Sequence, residues 1–409
     1  MTTTSDTRVD IADVPAPGTE ITRAELVAQI AADADRRRQA GGTEPPFAAI
    51  ELLKRHRIGA VRVPVELGGA GYSLRDLFDL LIDLAEADPD VPHIVRAHFG
   101  FVEELLRVPT TEAKRRWLPE ILAGKLFGGA ISELSTHTVG AYQFDTELTP
   151  AEDGHRLNGT KFYSTGSLFS DYIRVSAARP DADPVLAVVR AHAPGIEHRD
   201  DWDGIGQRHT GSGTTVFTDV AVADADLLPF RPKLGGTRAR QSLPQLFLHA
   251  IAAGILRSVA TDAAEVVRTR RRTYAFATAT EPRHDPQLLE IIGSITATAF
   301  AAEAVVRVAA EAQDDAAAVA RTTGVDAELE ARASILAAKA KVAIEESALR
   351  AAGRLFDVGG ASSTRASAHL DRHWRNLRTL FSHNPTVYKA RVLGDVFVND
   401  AALPDTGFF

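Results

Sequence analysis

From about residue 243 to residue 399 the chain is a succession of long, alanine-rich segments with helical periodicity, and this property limits the fold more than any other. The segments run at about 243–274, 286–321, 326–356, 364–382 and 385–399, separated by breaks such as Thr322-Thr-Gly324 and Gly359-Gly360. Small side chains let helix backbones approach closely, and short connections make neighbours antiparallel. The end of the chain therefore predicts a four-helix-type bundle. Within it, Leu370, Trp374, Leu377 and Phe381 form an apolar stripe, and Arg372, Arg375 and Arg378 repeat on a neighbouring face. Pro385 disfavours helix at Asn384, so that helix should end near Ser382 or His383, with Asn384 capping the next one. His383 is thereby placed at a corner between two helices, as an ordinary corner histidine or as a functional one.

The first third is also helical. Thr22 with Glu25 and Ser73 with Asp76 have the spacing of capping boxes, opening helices that run to Gly41-Gly42 and to about residue 87. A helix at 47–57, others at 94–107 and 111–123, and a break at Pro89 and Pro92 complete this region. The texture changes at Gly128: short β-type runs such as Val185–Val189 and Thr215–Val222 follow one another without intervening helices. Leu157-Asn-Gly-Thr160 reads as a hairpin turn, and a small antiparallel barrel fits better than a nucleotide-binding βαβ unit. The resulting α+β organisation is a tail (1–20), an N-terminal helical domain (21–127), a middle antiparallel β-barrel domain (128–232, ending in a linker at 231–241) and a C-terminal helical bundle (233–409).

A net charge of −8 argues against a duplex-binding protein, and the absence of cysteine excludes disulfides, zinc–cysteine sites and thiol chemistry. With no apolar run read as long enough for a membrane span and no signal-peptide core, the expectation is a soluble, cytoplasmic protein. The sequence offers neither a metal motif nor a P-loop nor a nucleophile elbow. Three stretches remain. Asp200 to Thr215 combines glycines and small hydroxyl residues with Trp202, which suits either close approach to a flat, polar-edged ligand or an ordinary surface loop. Lys161 to Ser167 places Ser164 and Thr165 where a β-run turns polar, a sheet edge or a contact to a cofactor ring. Arg268 to Arg272 either complements a helix dipole or offers a guanidinium fork to a phosphate.

Pro64-Val-Glu-Leu-Gly-Gly-Ala-Gly71, Leu157-Asn-Gly-Thr-Lys161, Ile205-Gly-Gln-Arg208 with Ser212-Gly213 and Phe217, and Gly359-Gly360, in this order and spacing, resemble the acyl-CoA dehydrogenase superfamily over almost the whole chain. The resemblance implies that family's fold, with a flavin between barrel and bundle, and a homotetramer. Where many such dehydrogenases carry a catalytic glutamate, this chain reads Ser382-His-Asn-Pro-Thr386. That stretch, with Trp374-Arg-Asn-Leu-Arg378, Tyr388-Lys389 and Asp200-Asp-Trp202, resembles the two-component flavin-dependent monooxygenase branch, which includes dibenzothiophene monooxygenase and indole-hydroxylating enzymes.

The resemblance assigns catalysis to His383 and His98. It assigns flavin binding to Ser164, Thr165, Trp202, Thr210, Ser212, Thr214, Arg272, Gly359 and Gly360, and a dry lining to Phe99, Phe162 and Phe381. Gly129 and Ser362 depart from the dibenzothiophene enzyme, where an asparagine and an arginine are expected. The implied function is oxygenation of a small aromatic heterocycle or organosulfur compound by reduced flavin (FMNH2 or FADH2) and O2, through a C4a-(hydro)peroxyflavin. A separate NAD(P)H-dependent reductase would supply the flavin, since the chain has no nicotinamide fingerprint. Two alternatives stand beside it: an FAD-dependent acyl-CoA dehydrogenase with its base moved, for example to Glu133, and a non-catalytic flavin-fold protein.

Overall fold

The computed structural model describes residues 21–107, 111–135, 143–180, 182–230, 238–404 and 409, with side chains left undescribed at 238–241. The expected tail at 1–20 and most of the expected linker at 231–241 lie outside the described residues. Six helices come first: α1 (Arg23–Gln39), α2 (Phe47–Arg55), α3 (Leu74–Ala87), α4 (Asp90–Ile94), α5 (Arg96–Leu106) and α6 (Glu112–Leu122). The strands are β1 (Phe127–Ala130), β2 (Glu147–Ala151), β3 (Gly154–Lys161), β4 (Tyr172–Arg179), β5 (Ala182–Arg190), β6 (Ile196–Arg199), β7 (Thr214–Val222) and β8 (Leu227–Pro229). The bundle follows as α7 (Arg238–Thr269), α8 (Pro286–Thr322), α9 (Ala327–Gly359), α10 (Asp371–Phe381) and α11 (Thr386–Asn399).

Both expected capping boxes form: Thr22 and Glu25, and Ser73 and Asp76, each exchange side-chain and backbone hydrogen bonds. Two further amide donors of α3, at Leu74 and Arg75, are taken by Asp314 of α8 at 2.6 and 2.8 Å. That contact ties the first helical region to the bundle. The two also share one core, in which Phe78 of α3 meets Phe247 of α7 edge-on at 5.2 Å. Each such ring contributes roughly 1.5–3 kcal/mol by leaving water.

The sheet runs β6-β7-β3-β2-β4-β5-β8, with β1 paired to β4. It is mixed rather than wholly antiparallel: β1 and β2 both lie parallel to β4. The expected hairpin turn at Leu157–Thr160 is instead part of β3, and the chain reverses between β2 and β3, before Gly154. Asn158-Gly159 makes a bulge against β7. Gly159 is required there, because its φ is +150° and a Cβ would lie 2.6 Å from the Thr146 Cα.

Other differences have local causes. Pro92 does not break the chain but lies within α4, whose Asp90 amide is held by the Asp88 carboxylate at 3.0 Å; a proline is tolerated in a first helical turn. The expected helix from 364 starts only at Asp371, after two short 3-10 turns. Its stripe buries Leu370, Leu377 and Phe381, but Trp374 is 41% exposed. The next helix begins at Thr386, one residue late, because the Asn384 side chain is used elsewhere. Two segments, Ser242–Thr269 and Pro286–Thr322, are long and apolar enough to cross a membrane by length and composition, contrary to the sequence reading. The first is packed in the core, whereas most of the second's apolar window is not buried in this chain.

Candidate active site

At one corner of the sheet, the turn after β3 meets the glycine-rich approach to β7. The Ser164 amide bonds the Gly213 carbonyl at 3.1 Å, and the Gly166 amide bonds that of Thr210 at 2.9 Å. Here hydroxyls form a run. Thr165 Oγ1 lies 2.7 Å from Ser212 Oγ, which lies 2.6 Å from Thr210 Oγ1, which donates at 3.0 Å to the Gln207 carbonyl. A carbonyl only accepts, so the run has one direction. Thr210 donates to Gln207 and Ser212 to Thr210, while the Thr165 hydroxyl reaches both Ser212 and, at 3.5 Å, the Tyr163 carbonyl; its half-buried oxygen keeps lone pairs free to accept. Thr214 is anchored by Asp201, which accepts from its amide at 2.7 Å and its hydroxyl at 2.8 Å. Trp202 donates to the Gly206 carbonyl at 3.2 Å and meets Tyr163 edge-on at 6.0 Å. Tyr163 and Gln207 hold left-handed backbone at φ 55° and 52°, local strain of the order of 1–3 kcal/mol each.

Gln207 joins this corner to the helices. Its amide donates to Asn376 Oδ1 of α10 at 2.7 Å, and Gly206 lies so close that a Cβ would sit 2.3 Å from the Arg375 carbonyl. Its side-chain oxygen lies 2.7 Å from His93 Nδ1, and a carbonyl-type oxygen requires that nitrogen to carry the proton. His93 Nε2 is then an acceptor, and it is buried without a partner, as is Gln207 Nε2. Burial and the nearby Arg96 guanidinium push the His93 pKa down to about 3, so its ring is neutral.

His383 follows α10 at the expected corner. Lys341 of α9 fixes that corner, donating to the carbonyls of Phe381 and Asn384 at 3.0 and 2.5 Å and to Asn384 Oδ1 at 2.9 Å. Asn384 Nδ2 donates in turn to Gln245 of α7 at 2.6 Å. The His383 Nε2 faces Arg96 of α5, 3.4 and 3.5 Å from its terminal nitrogens. A guanidinium only donates, so Nε2 accepts and the proton resides on Nδ1. The residue remains accessible although its ring lies deep among protein atoms, as on the wall of an open recess. Burial first, then Arg96, His93, Lys341 and Lys389, hold its pKa well below the ordinary histidine value.

The structure thus brings Thr165, Ser212, Thr210, Trp202 and Thr214 together and links them through Gln207 to His93, beside Arg96 and His383. Other predicted site residues are placed differently. His98 is 1% exposed and spans two backbone groups: Nε2 bonds the Gly59 carbonyl at 2.9 Å, and the Phe127 amide bonds Nδ1 at 3.2 Å. With both nitrogens occupied and burial pushing its pKa down to about 4, His98 is a structural clamp. Phe99 and Phe381 belong to the main core, and Phe162, half-buried, bridges to Ser132. Ser164 is fully buried, beneath the corner. Exposed Arg272 and half-buried Gly359 and Gly360 lie at the other end of the bundle, where Arg270 bonds the Val358 carbonyl at 2.8 Å and stacks on Tyr274. Among the described residues no hydrogen bond or ion pair joins that group to the barrel corner. Glu133 is consumed by Lys161 at 2.5 Å and by the amides of Asp145 and Thr146 at 2.5 and 3.0 Å, which removes it as a relocated base. A cleft of about 450 Å³ between Arg37, Trp202, Arg208 and His373 contains neither Thr165, Ser212 nor His383.

The reading of the sequence missed His93, Arg96, Gln207, Asn376 and Lys341. A five-residue spacing puts His93 and His98 about 140° apart on a helix, so only one could face a given site. Spacing alone does not say which. Gln207 could have been found within Ile205-Gly-Gln-Arg208, where a glycine precedes a side chain able to bridge.

Two family descriptions match the chain: "Acyl-CoA dehydrogenase, N-terminal domain" over residues 20–125 and "Acyl-CoA dehydrogenase, C-terminal domain" over residues 246–387. The "Probable FMNH2-dependent monooxygenase SfnC" of Pseudomonas putida is 29% identical over 391 residues, 94% of this chain and 96% of its own. TdsC of Paenibacillus sp. A11-2, solved with FMN and indole, superposes with a TM-score of 0.85 at 25% identity, over 95% of this chain and 98% of that one. The methanesulfinate monooxygenase MsuC of Pseudomonas fluorescens gives 0.83 at 27% identity, over 95% and 98%. The agreement of both terminal domains, the complete fold and the histidine corner in place of a carboxylate establishes that the chain belongs to the flavin-dependent monooxygenase branch of the acyl-CoA dehydrogenase superfamily.

Proposed function

We propose that this protein is the oxygenase of a two-component system, taking reduced flavin and O2 and inserting one oxygen atom into a small organosulfur compound or aromatic heterocycle. The observation that carries the reading is the hydrogen-bonded run from Thr165 through Ser212, Thr210 and Gln207 to His93, which couples a ring-binding corner to the His383 recess. The corner suits a flavin: the Thr165 oxygen has lone pairs free to accept, as the N5–H of a reduced ring requires. Trp202 and Tyr163 offer aromatic surface beside it. FMN is favoured over FAD by the relatives, which are named FMNH2-dependent or solved with FMN.

When bound, reduced flavin supplies two electrons to O2, so that one oxygen enters the substrate and the other leaves as water. The chain's part is to orient, to donate and to stay dry. The neutral His383 donates from Nδ1, and the unpartnered His93 Nε2 accepts. Lys341 and Asn384 hold the corner, and bound substrate and flavin must cover the exposed His383 to exclude the water that favours loss of oxygen as peroxide. Arg272 with Gly359 and Gly360 forms a second, phosphate-oriented group, and we assign its use to an assembled oligomer. Exposed apolar residues on α8 and α11, among them Phe300 (73%), Val387 (70%) and Phe397 (89%), support a homotetramer, which light scattering would test. The reductase is a separate NAD(P)H-dependent protein, and dependence on such a partner supports a cytoplasmic location. Thr165→Val should weaken FMN binding about tenfold, whereas Thr165→Ser retains it. Equal affinity in all three proteins would contradict the assignment of this corner.

A further inference from the structure

Half-buried Arg96 differs from the paired arginines around the core. Arg62 pairs with Glu103 at 2.6 Å, Arg107 with Glu330 at 2.8 Å, Arg372 with Asp262 at 2.6 Å and Arg378 with Glu345 at 3.2 Å. Arg96 has no carboxylate within ion-pair distance among the described residues, and its side-chain hydrogen-bond neighbour is the neutral ring of His383. It also opens α5, where the positive end of the helix dipole disfavours a cation. Burial alone pushes its pKa down to about 10, with no acid opposing the shift. A half-buried guanidinium with no acid beside it is open to a counterion from outside the chain.

The surroundings specify the sign of that partner. Gln207, 1% exposed, keeps an amide Nε2 with no acceptor, on the side chain that holds His93. The charged groups that bear on His383 are Arg96, Lys341 and Lys389, all cationic. Glu345, the acid that acts on Lys341, already holds Arg378 and the hydroxyl of Thr386. The recess therefore offers donors and positive potential in excess of its acceptors.

We propose that Arg96 is a substrate-binding residue, and that the substrate of this protein is a small organic oxyanion whose two-oxygen headgroup, a sulfinate or a carboxylate, is held by the Arg96 guanidinium beside His383. The inference rests on the proposed oxygenase reading and narrows it: an uncharged heterocycle would leave the guanidinium without a counterion, whereas an oxyanion matches its planar fork. The Arg96 guanidinium lies 3.4 and 3.5 Å from His383 Nε2, so a headgroup held there sits beside the histidine.

The test is calorimetric titration of the FMN-loaded protein with two matched pairs, benzenesulfinate against methyl phenyl sulfone and benzoate against benzamide. Each anion should bind at least about tenfold tighter than its neutral counterpart. Arg96→Met should abolish that preference, and Arg96→Lys should keep part of it. Tighter binding of the sulfinate than of benzoate assigns a sulfur oxyacid, and the reverse assigns a carboxylate. Equal binding of anion and neutral by the unaltered protein, or a preference that survives Arg96→Met, overturns the inference. FMN loading is measured beforehand in the same preparation, so a protein that fails to take up FMN counts against the oxygenase reading instead.

Discussion

Replacing His98 by alanine separates a structural histidine from a catalytic one. The ring bonds the Gly59 carbonyl at 2.9 Å and accepts from the Phe127 amide at 3.2 Å, so the substitution leaves two buried backbone groups without partners. Each loss costs about 1–3 kcal/mol. The imidazole also lies edge-on to Phe99 at 5.4 Å and stacked on Phe127 at 6.1 Å, and removing those contacts adds about 1 kcal/mol. Together these give a destabilisation of about 3–7 kcal/mol, a large share of an ordinary stability margin. A thermal melt followed by circular dichroism should show Tm falling by roughly 4–8 °C. The fraction still folded at low temperature should bind FMN and form product. An unchanged melting curve with product formation lost would refute the structural role and return His98 to the catalytic machinery.

Two further expectations follow from the same electrostatics. The folded pKa values of His93 (about 3) and His98 (about 4) lie below the ordinary 6.5, so between these limits the unfolded chain binds more protons. Their contribution to stability is complete above pH 6.5 and is lost as pH falls towards 4, at up to about 1.4 kcal/mol per pH unit for each ring. Urea unfolding at stepped pH should show this slope, and His98→Ala should reduce it; a flat profile from pH 6.5 to 4.5 would contradict the buried neutral rings. Lys341→Met removes all three hydrogen bonds at the 381–384 corner, so oxygenation should fall at least about tenfold while FMN affinity is kept, and unchanged product yield would show that the corner holds itself.

Local chemistry with a short reach was legible in the sequence. The capping boxes at Thr22 and Ser73 formed, and α8 spans Pro286–Thr322, one residue beyond its expected end. The corner at His383 was legible too, because Pro385 restricts the backbone before it. What failed depended on distant partners. Asn158-Gly159 has the composition of a turn, but the position of Thr146 makes it a bulge. His98 and His93 are alike in sequence, and only Gly59, Phe127 and Gln207, from three other places in the chain, decide that one is a clamp and the other faces the recess. Arg96 was silent for the same reason: an arginine becomes informative when the fold withholds its counterion.

The most direct test of the account follows oxygen. The protein, its His93→Ala and its His383→Ala variants would each be loaded with reduced FMN, mixed with O2 and an organosulfur substrate, and assayed for oxygenated product and hydrogen peroxide. The account predicts product from the unaltered protein, and in both variants intact FMN binding with the consumed O2 diverted to peroxide. Product at undiminished yield in both variants would contradict it.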